Sequence, residues 1–187
     1  MKIDITSRWS GSVLFSLETD SLKLALEAAV KSGANLVDAD LGGANLGGAN
    51  LYGANLGGAN LYGANLGGAN LGDANLTVIR DDLWAVLSAS PSEVVGLRQA
   101  IIDGKIDGST YEGDCACLVG TLANVRQCKY KAIPSLTPNS SRLAERFFLA
   151  IKPGDTPEKS QAAKLALEWI DQWLANMRGA FGVNTGD

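Results

Sequence analysis

Between residues 34 and 76 the chain repeats one arrangement of apolar and polar positions every five residues. Leu36, Leu41, Leu46, Leu51, Leu56, Leu61, Leu66, Leu71 and Leu76 each follow an alanine two positions earlier. Asparagine lies between them, replaced once by Asp40, so the unit is A-(N/D)-L-x-x without a slip. On a helix, a step of five rotates the leucine by about 140° and scatters the set around the surface. On a flat strand, an odd step sends alternate leucines to opposite faces. The pattern works if the chain bends once per unit, returning Ala and Leu to one inner side each time. The two residues after Leu are mostly Gly-Gly or Tyr-Gly, which suit tight bends. Stacked coils about 4.8 Å apart can then pair as parallel strands. A flexible glycine linker has no reason to keep leucines in step.

The flanks follow other periods. Residues Ser12–Leu17 read as a strand, and Asp20 is the expected N-cap of a helix over Ser21–Ser32. That helix carries Leu22, Leu26, Ala29 and Val30 on one face and stops at Gly33. After the repeats, Asp82–Ala89 is expected to be helical. Ser90-Pro91-Ser92-Glu93 reads as a capping box opening a second helix that ends at Gly104. Ile106–Cys117 is open between strand and loop, Leu118–Gln127 reads as helix, and Phe147–Ile151 as a short buried strand. Thr156-Pro157 opens the clearest helix, over about 158–178, with Ala163, Leu167, Ile170, Leu174 and Met177 at helical spacing. Three regions result: an N-terminal strand-helix cap (1–33), the repeats (34–76) and a C-terminal α+β module (77–187).

The run GANLGGANLYGANL resembles the pentapeptide-repeat family. The resemblance covers just under a quarter of the chain. It implies a β-helix, a right-handed quadrilateral solenoid with four repeats per coil and the nine leucines as its core. A little over two such coils make roughly 10 Å of stack, and a solenoid that short needs capping at both ends. The flanking stretches VLFSLETDSLKLALEAAVKSGANL, DGSTYEGDCACLVGTLANV and SSRLAERFFLAIKPGDTP resemble segments found around pentapeptide repeats in bacteriophage and prophage proteins. In that group Pro often stands where this chain has Leu143, and charged residues often follow the repeat Leu where this chain has Gly. The resemblance implies a phage or prophage origin and no particular activity.

Composition narrows the function classes. Hydrophobic residues make up 46% of 187, dominated by Ala and Leu, as a repeat core requires. A net charge of −4 gives no basic nucleic-acid surface and no acidic tail. No run approaches the roughly 18 apolar residues of a membrane span. Three cysteines in no disulfide-framework spacing fit a protein of the reducing cytoplasm, the host cytoplasm if phage-encoded.

The chain contains no histidine, which removes Ser-His and Cys-His pairs and the commonest metal ligand. No Walker-type or G-x-G-x-x-G phosphate loop is present. No catalytic residue and no cofactor are assigned. Cys115, Cys117 and Cys128, beside Glu112 and Asp114, are the sharpest constellation. Their C-x-C spacing is unusual for structural zinc, which wants four ligands. Buried structural cysteines are the favoured reading, ahead of a metal or redox role and of a nucleophile. Arg142, Glu145 and Arg146 form either an ion-paired or anion-binding cluster or, as favoured, a solvated stretch. Trp169 and Trp173 fit a core better than a ligand box, though a leftover exposed portion could serve a dimer contact.

Some proteins of the resembled family mimic duplex DNA and bind DNA gyrase. DNA carries about one charge per 1.7 Å. Asp38, Asp40 and Asp73, on three of four faces, are too sparse to imitate it. Tyr52 and Tyr62, ten residues apart, fall on opposite sides. The expectation is therefore a non-enzymatic accessory protein that binds and modulates or inhibits a host protein, for example a defence or DNA-processing factor. Contact is expected mainly through residues 77–187, with Tyr111, Arg142, Glu145, Arg146, Trp169 and Trp173 as candidates and the repeats as rigid support. Neither membrane nor direct nucleic-acid binding is expected, and a homodimer is open. A small enzyme or metal/thiol sensor in residues 77–187 and a structural virion component are the alternatives. A concave pocket lined by Tyr111–Cys117 and Arg142–Arg146 favours the enzyme or sensor, and a flat surface favours the binding protein.

Overall fold

The computed structural model describes residues 1–61, 64–66, 68–72, 74–133, 136–139 and 142–181. Two compact units divide the chain, Met1–Ile79 and Arg80–Asp187. Tyr62 and Asp73, which entered the reading of the repeat faces, lie outside the described residues.

In the first unit β1 (Lys2–Thr6) pairs antiparallel with β2 (Val13–Glu18), Lys2 opposite Glu18 and Ile5 opposite Phe15. The register slips after Ile5, leaving Leu14 as an extra residue on β2. The helix α1 (Leu22–Lys31) starts one residue later than expected. Its N-cap is Ser21, not Asp20, because the Ser21 hydroxyl is the group that reaches the Leu24 amide, at 3.4 Å. Gly33, at φ +72°, closes α1 by donating to Val30 O, and Ala34 donates to Ala29 O.

The repeats bend once per unit. Each bend is closed by the Ala amide on the carbonyl of the Leu three residues before it, as in Ala49 N to Leu46 O at 2.9 Å. The position before Ala carries φ near +65° in Gly43, Gly48, Gly53, Gly58 and Gly68, and in the first turn Asp38 holds it at +59°. All nine leucines are at most 3% exposed. The continuous strands expected of a solenoid are absent: among the described residues the only strands are β1 and β2, and most regular structure is helical. Pairing in the repeats is instead by single-residue parallel bridges, Asp40 with Asn60, Asn45 with Asn65, Asn50 with Asn70 and Asn55 with Asn75. A bend every five residues leaves room for one bridged residue per side. Every bridge joins residues twenty apart, and the asparagine side chains follow it. The Nδ2 groups of Asn60, Asn65, Asn70 and Asn75 donate to Oδ1 of Asp40, Asn45, Asn50 and Asn55 at 2.7 to 3.3 Å.

The N-terminal cap supplies partners to the first repeats. Asp40 N donates to Thr6 O, and Asn50 N to Glu27 Oε1, each within 2.8 Å. Lys23 Nζ donates to Gly47 O and Arg8 Nη1 to Gly58 O. One helical turn, Lys23 to Glu27, thus serves one carbonyl and one amide of an exposed edge.

The helix α2 (Thr77–Ala89) begins five residues before the expected start, as the Asn75 carboxamide accepts the Thr77 amide at 3.2 Å. The second unit continues with α3 (Val94–Ile102), α4 (Leu118–Arg126), α5 (Leu143–Phe148) and α6 (Gln161–Phe181). It is helical and not α+β: its only β pairing among the described residues is the parallel bridge of Ile106 with Ala116. The expected strand Phe147–Ile151 is the end of α5 and a turn, with Ile151 N on Phe148 O. A short buried apolar run does not carry its own period, so the sequence misassigns it. The capping box is not made either. Ser90 Oγ is buried with no partner, and Glu93 turns to Arg126 Nε at 2.8 Å. The start of α6 shifts to Gln161, capped by Ser160 Oγ on the Ala163 amide. Elements approach closely at Gly108, where a Cβ would strike the Phe148 carbonyl, and at Gly120, where it would strike that of Tyr111.

Candidate functional site

Most candidate groups of the second unit are turned inward. The Tyr111 hydroxyl donates to Glu145 Oε2 at 2.8 Å, and the Asn139 amide donates to Oε1 at 2.9 Å. Glu145 is only 5% exposed, so these bonds satisfy a carboxylate largely removed from water. Burial first, then the bond to Glu145, raises the Tyr111 phenol above its ordinary value. Its ring stacks on Tyr130 with centroids 5.1 Å apart.

Arg142 turns to a different partner. Its Nε lies 3.9 Å from Asp82 Oδ1, while Asp82 Oδ2 accepts the Ala144 amide at 2.9 Å. Asp82 thereby serves the open N-terminus of α5. Arg146 lies half-buried on the same helix. Arg142 and Glu145 are therefore committed to separate partners.

Trp169 and Trp173 belong to the core, at 7% and 4% exposure. Trp169 packs against Phe147, centroids 5.0 Å apart, and its carbonyl accepts the Trp84 indole N–H. The Trp173 indole donates to Ser88 Oγ. Neither presents a face for a partner.

All three cysteines are free thiols. Cys117 is buried, and burial pushes its thiol up to about 11, so it is protonated and a poor nucleophile at neutral pH. Cys115 and Cys128 are half-buried. Among the described residues no three His, Cys, Asp or Glu side chains gather as a metal site would need.

A concave surface of this unit lies elsewhere. A hollow of about 750 Å³ is lined by Lys105, Asp114, Asn124, Gln127, Cys128 and Lys129, at the C-terminal end of α4. It takes Asp114 and Cys128 from the expected neighbourhood and nothing from Arg142–Arg146. Asn124 Nδ2 ties the helix end to Gly113 O at 2.8 Å. Gln127 closes the helix in the left-handed region, at φ +59°, where glycine is usual. Lys105, Asn124, Gln127 and Lys129 were missed in the sequence. The available signal was charge: residues 118–133 carry Arg126, Lys129 and Lys131 and no carboxylate, in a chain of net charge −4. In the first unit a smaller hollow of about 390 Å³ lies among Glu27, Val30, Lys31, Asn50 and Tyr52.

Comparison with known proteins bears on the repeats alone. Residues 39–77 match the family model for pentapeptide repeats, in eight copies. The match starts five residues after the first A-N-L unit at Ala34. No curated protein and no solved structure matches the chain. No helix among the described residues is long and apolar enough to cross a membrane.

Proposed function

We propose that this chain is a non-enzymatic accessory protein of phage or prophage type that binds and modulates a host protein in the bacterial cytoplasm. The helical unit makes the contact, and residues 34–76 serve as a short right-handed quadrilateral β-helix that acts as rigid support. The twenty-residue offset of the four parallel bridges described within the repeats, four units of five, supports the four-sided coil.

One observation carries the functional reading. Several groups that could do chemistry in the second unit are spent on its interior: Glu145 on Tyr111 and Asn139, Cys117 on a buried protonated state, the tryptophans on the core. What remains outward is an open polar hollow and the exposed Val95 and Val125, at 44% and 36%. Isolated exposed valines are ordinary, but beside a basic rim they fit a protein contact better than a reaction centre. The competing thiol-sensor reading draws on Cys128, which lines the hollow beside Lys129.

Affinity capture from a bacterial lysate with the full-length protein tests this. A host protein is expected at near-stoichiometric yield, lost on Val95→Glu combined with Lys131→Glu and kept on Trp9→Ala combined with Tyr52→Ala. The reverse pattern would move the contact to the first unit and contradict the proposal. Elemental mass spectrometry of untagged protein is expected to show no near-stoichiometric zinc or iron. Either metal at one per chain would favour the sensor.

A further inference from the structure

The hollow at the end of α4 has a chemistry of its own. Among the described residues, neither the Lys129 ammonium nor the Gln127 carboxamide has a hydrogen-bond or ion-pair partner. Lys105 pairs with Asp103 at 3.0 Å, both partly in water, a pairing that an incoming carboxylate can displace at little cost. Asp114 is the one carboxylate lining the hollow. Val125 lies against Gly96 next to the exposed Val95, giving the basic rim an apolar neighbour.

Gln127 supplies a second argument. A non-glycine residue in the left-handed region carries backbone strain that Gly would avoid. The side chain kept there makes no bond that repays it within the chain, yet it lines the hollow. Residues held in this region cluster at ligand-binding and switch positions.

The shape decides the class of ligand. A site for a small molecule encloses most of its guest, whereas this hollow is broad and open, and its donors are spread along a helix end. Peptide carboxylates and backbone carbonyls, spaced along a loop, match ammonium and amide donors spaced in this way. We propose that the hollow lined by Lys105, Gln127 and Lys129 is the docking surface for an acidic, loop-like segment of a protein partner. This rests on the binding reading above and gives that reading a partner chemistry. Lys105 and Lys129 attract the acidic side chains, Gln127 holds the peptide backbone, and Val95 and Val125 supply apolar contact at the edge.

The test uses full-length protein and a fluorescein-labelled octapeptide of alternating Glu and Gly, read by anisotropy at low salt. A Lys/Gly counterpart and inorganic phosphate serve as controls. The acidic peptide is expected to bind, to weaken as salt rises, and to lose at least tenfold in affinity on Lys105→Glu with Lys129→Glu. Gln127→Gly is expected to raise the melting temperature while lowering affinity severalfold, a split that a purely structural residue would not give. Lys129→Ala, which alters the fold least, is expected to fall between wild type and the double variant. Equal binding of the acidic and basic peptides, or full affinity in the double variant, would overturn the proposal. So would competition by phosphate at the same concentration as the peptide, which would mark a bare anion site. A captured host protein that ignores the Lys105 and Lys129 reversals overturns the docking surface and leaves the binding function standing. No captured protein at all counts against the binding function, while the peptide still decides the surface.

Discussion

In the repeats a side chain's role follows from its place in a five-residue period, while in the helical unit each side chain answers a local need. Leu46 and Leu66 are interchangeable in kind: both are buried, and each follows an asparagine of the same parallel bridge, Asn45 with Asn65. Glu93 and Glu145 are not. Each is a glutamate at 5% exposure, but one pairs with Arg126 and the other accepts from Tyr111 and Asn139. The comparison teaches where function can be housed. A period spends every residue on the same few contacts and leaves surfaces that repeat. Single solutions leave irregular surfaces, and the basic hollow is one of them.

The contrast can be broken at its strongest point first. Trp169→Ala is expected to destabilise the protein by about 3–5 kcal/mol in denaturant unfolding, since it removes a ring packed on Phe147. A cost near zero would mean that the indole is not part of the core. Leu51→Ala in the repeats should cost roughly 2–5 kcal/mol, with the same fall at Leu46 and Leu56 if the period makes the positions equivalent. Unequal costs across those three leucines would break the claim of equivalence.

Tyr111→Phe removes a donor from a buried carboxylate and is expected to cost about 1–3 kcal/mol. Stability unaffected by that change would show that Glu145 is satisfied without the phenol. Cys117 provides a pH-dependent effect of similar size. Its thiol is raised from 9.0 to about 11 in the folded protein, so the neutral form is the one the fold accommodates. The associated stability is intact below pH 9 and is lost as pH rises from 9 toward 11, by at most about 2–3 kcal/mol. Cys117→Ser should remove that alkaline step, and an unchanged alkaline limb in urea titrations would assign the step to another group. The smallest effect is expected at Asn65→Ala, roughly 0.5–1 kcal/mol for one exposed rung of the amide ladder.

Much of this contrast is visible in the chain itself. The nine leucines and their alanines are legible because only one bend per unit satisfies a period of five. The asparagines are not: they read as solvent-facing side chains until the twenty-residue offset brings Asn65 onto Asn45. Strand β1 escaped notice although Lys-Ile-Asp-Ile-Thr alternates as a strand should. In the helical unit the sequence separates core tryptophans from surface but mistakes Phe147–Ile151 for a strand, because burial on all sides erases periodicity. It places Ser90 and Glu93 in a capping box, since the residue types fit, while Arg126, thirty-three positions later, claims the glutamate. The candidate residues Tyr111 and Glu145 do meet, but as an interior pair. The hollow was hidden because a helix end closed by Gln127 in a glycine-like conformation leaves no glycine to mark it.

The central claim is that the helical unit, and not the repeats, presents the working surface. Hydrogen-exchange footprinting of the full-length protein, alone and with its captured host protein, tests it most directly. The account predicts partner-dependent protection around residue 105 and across 124–131, with the amides of 39–77 unchanged. Protection confined to 39–77, with the end of α4 exchanging as in the free protein, would contradict it.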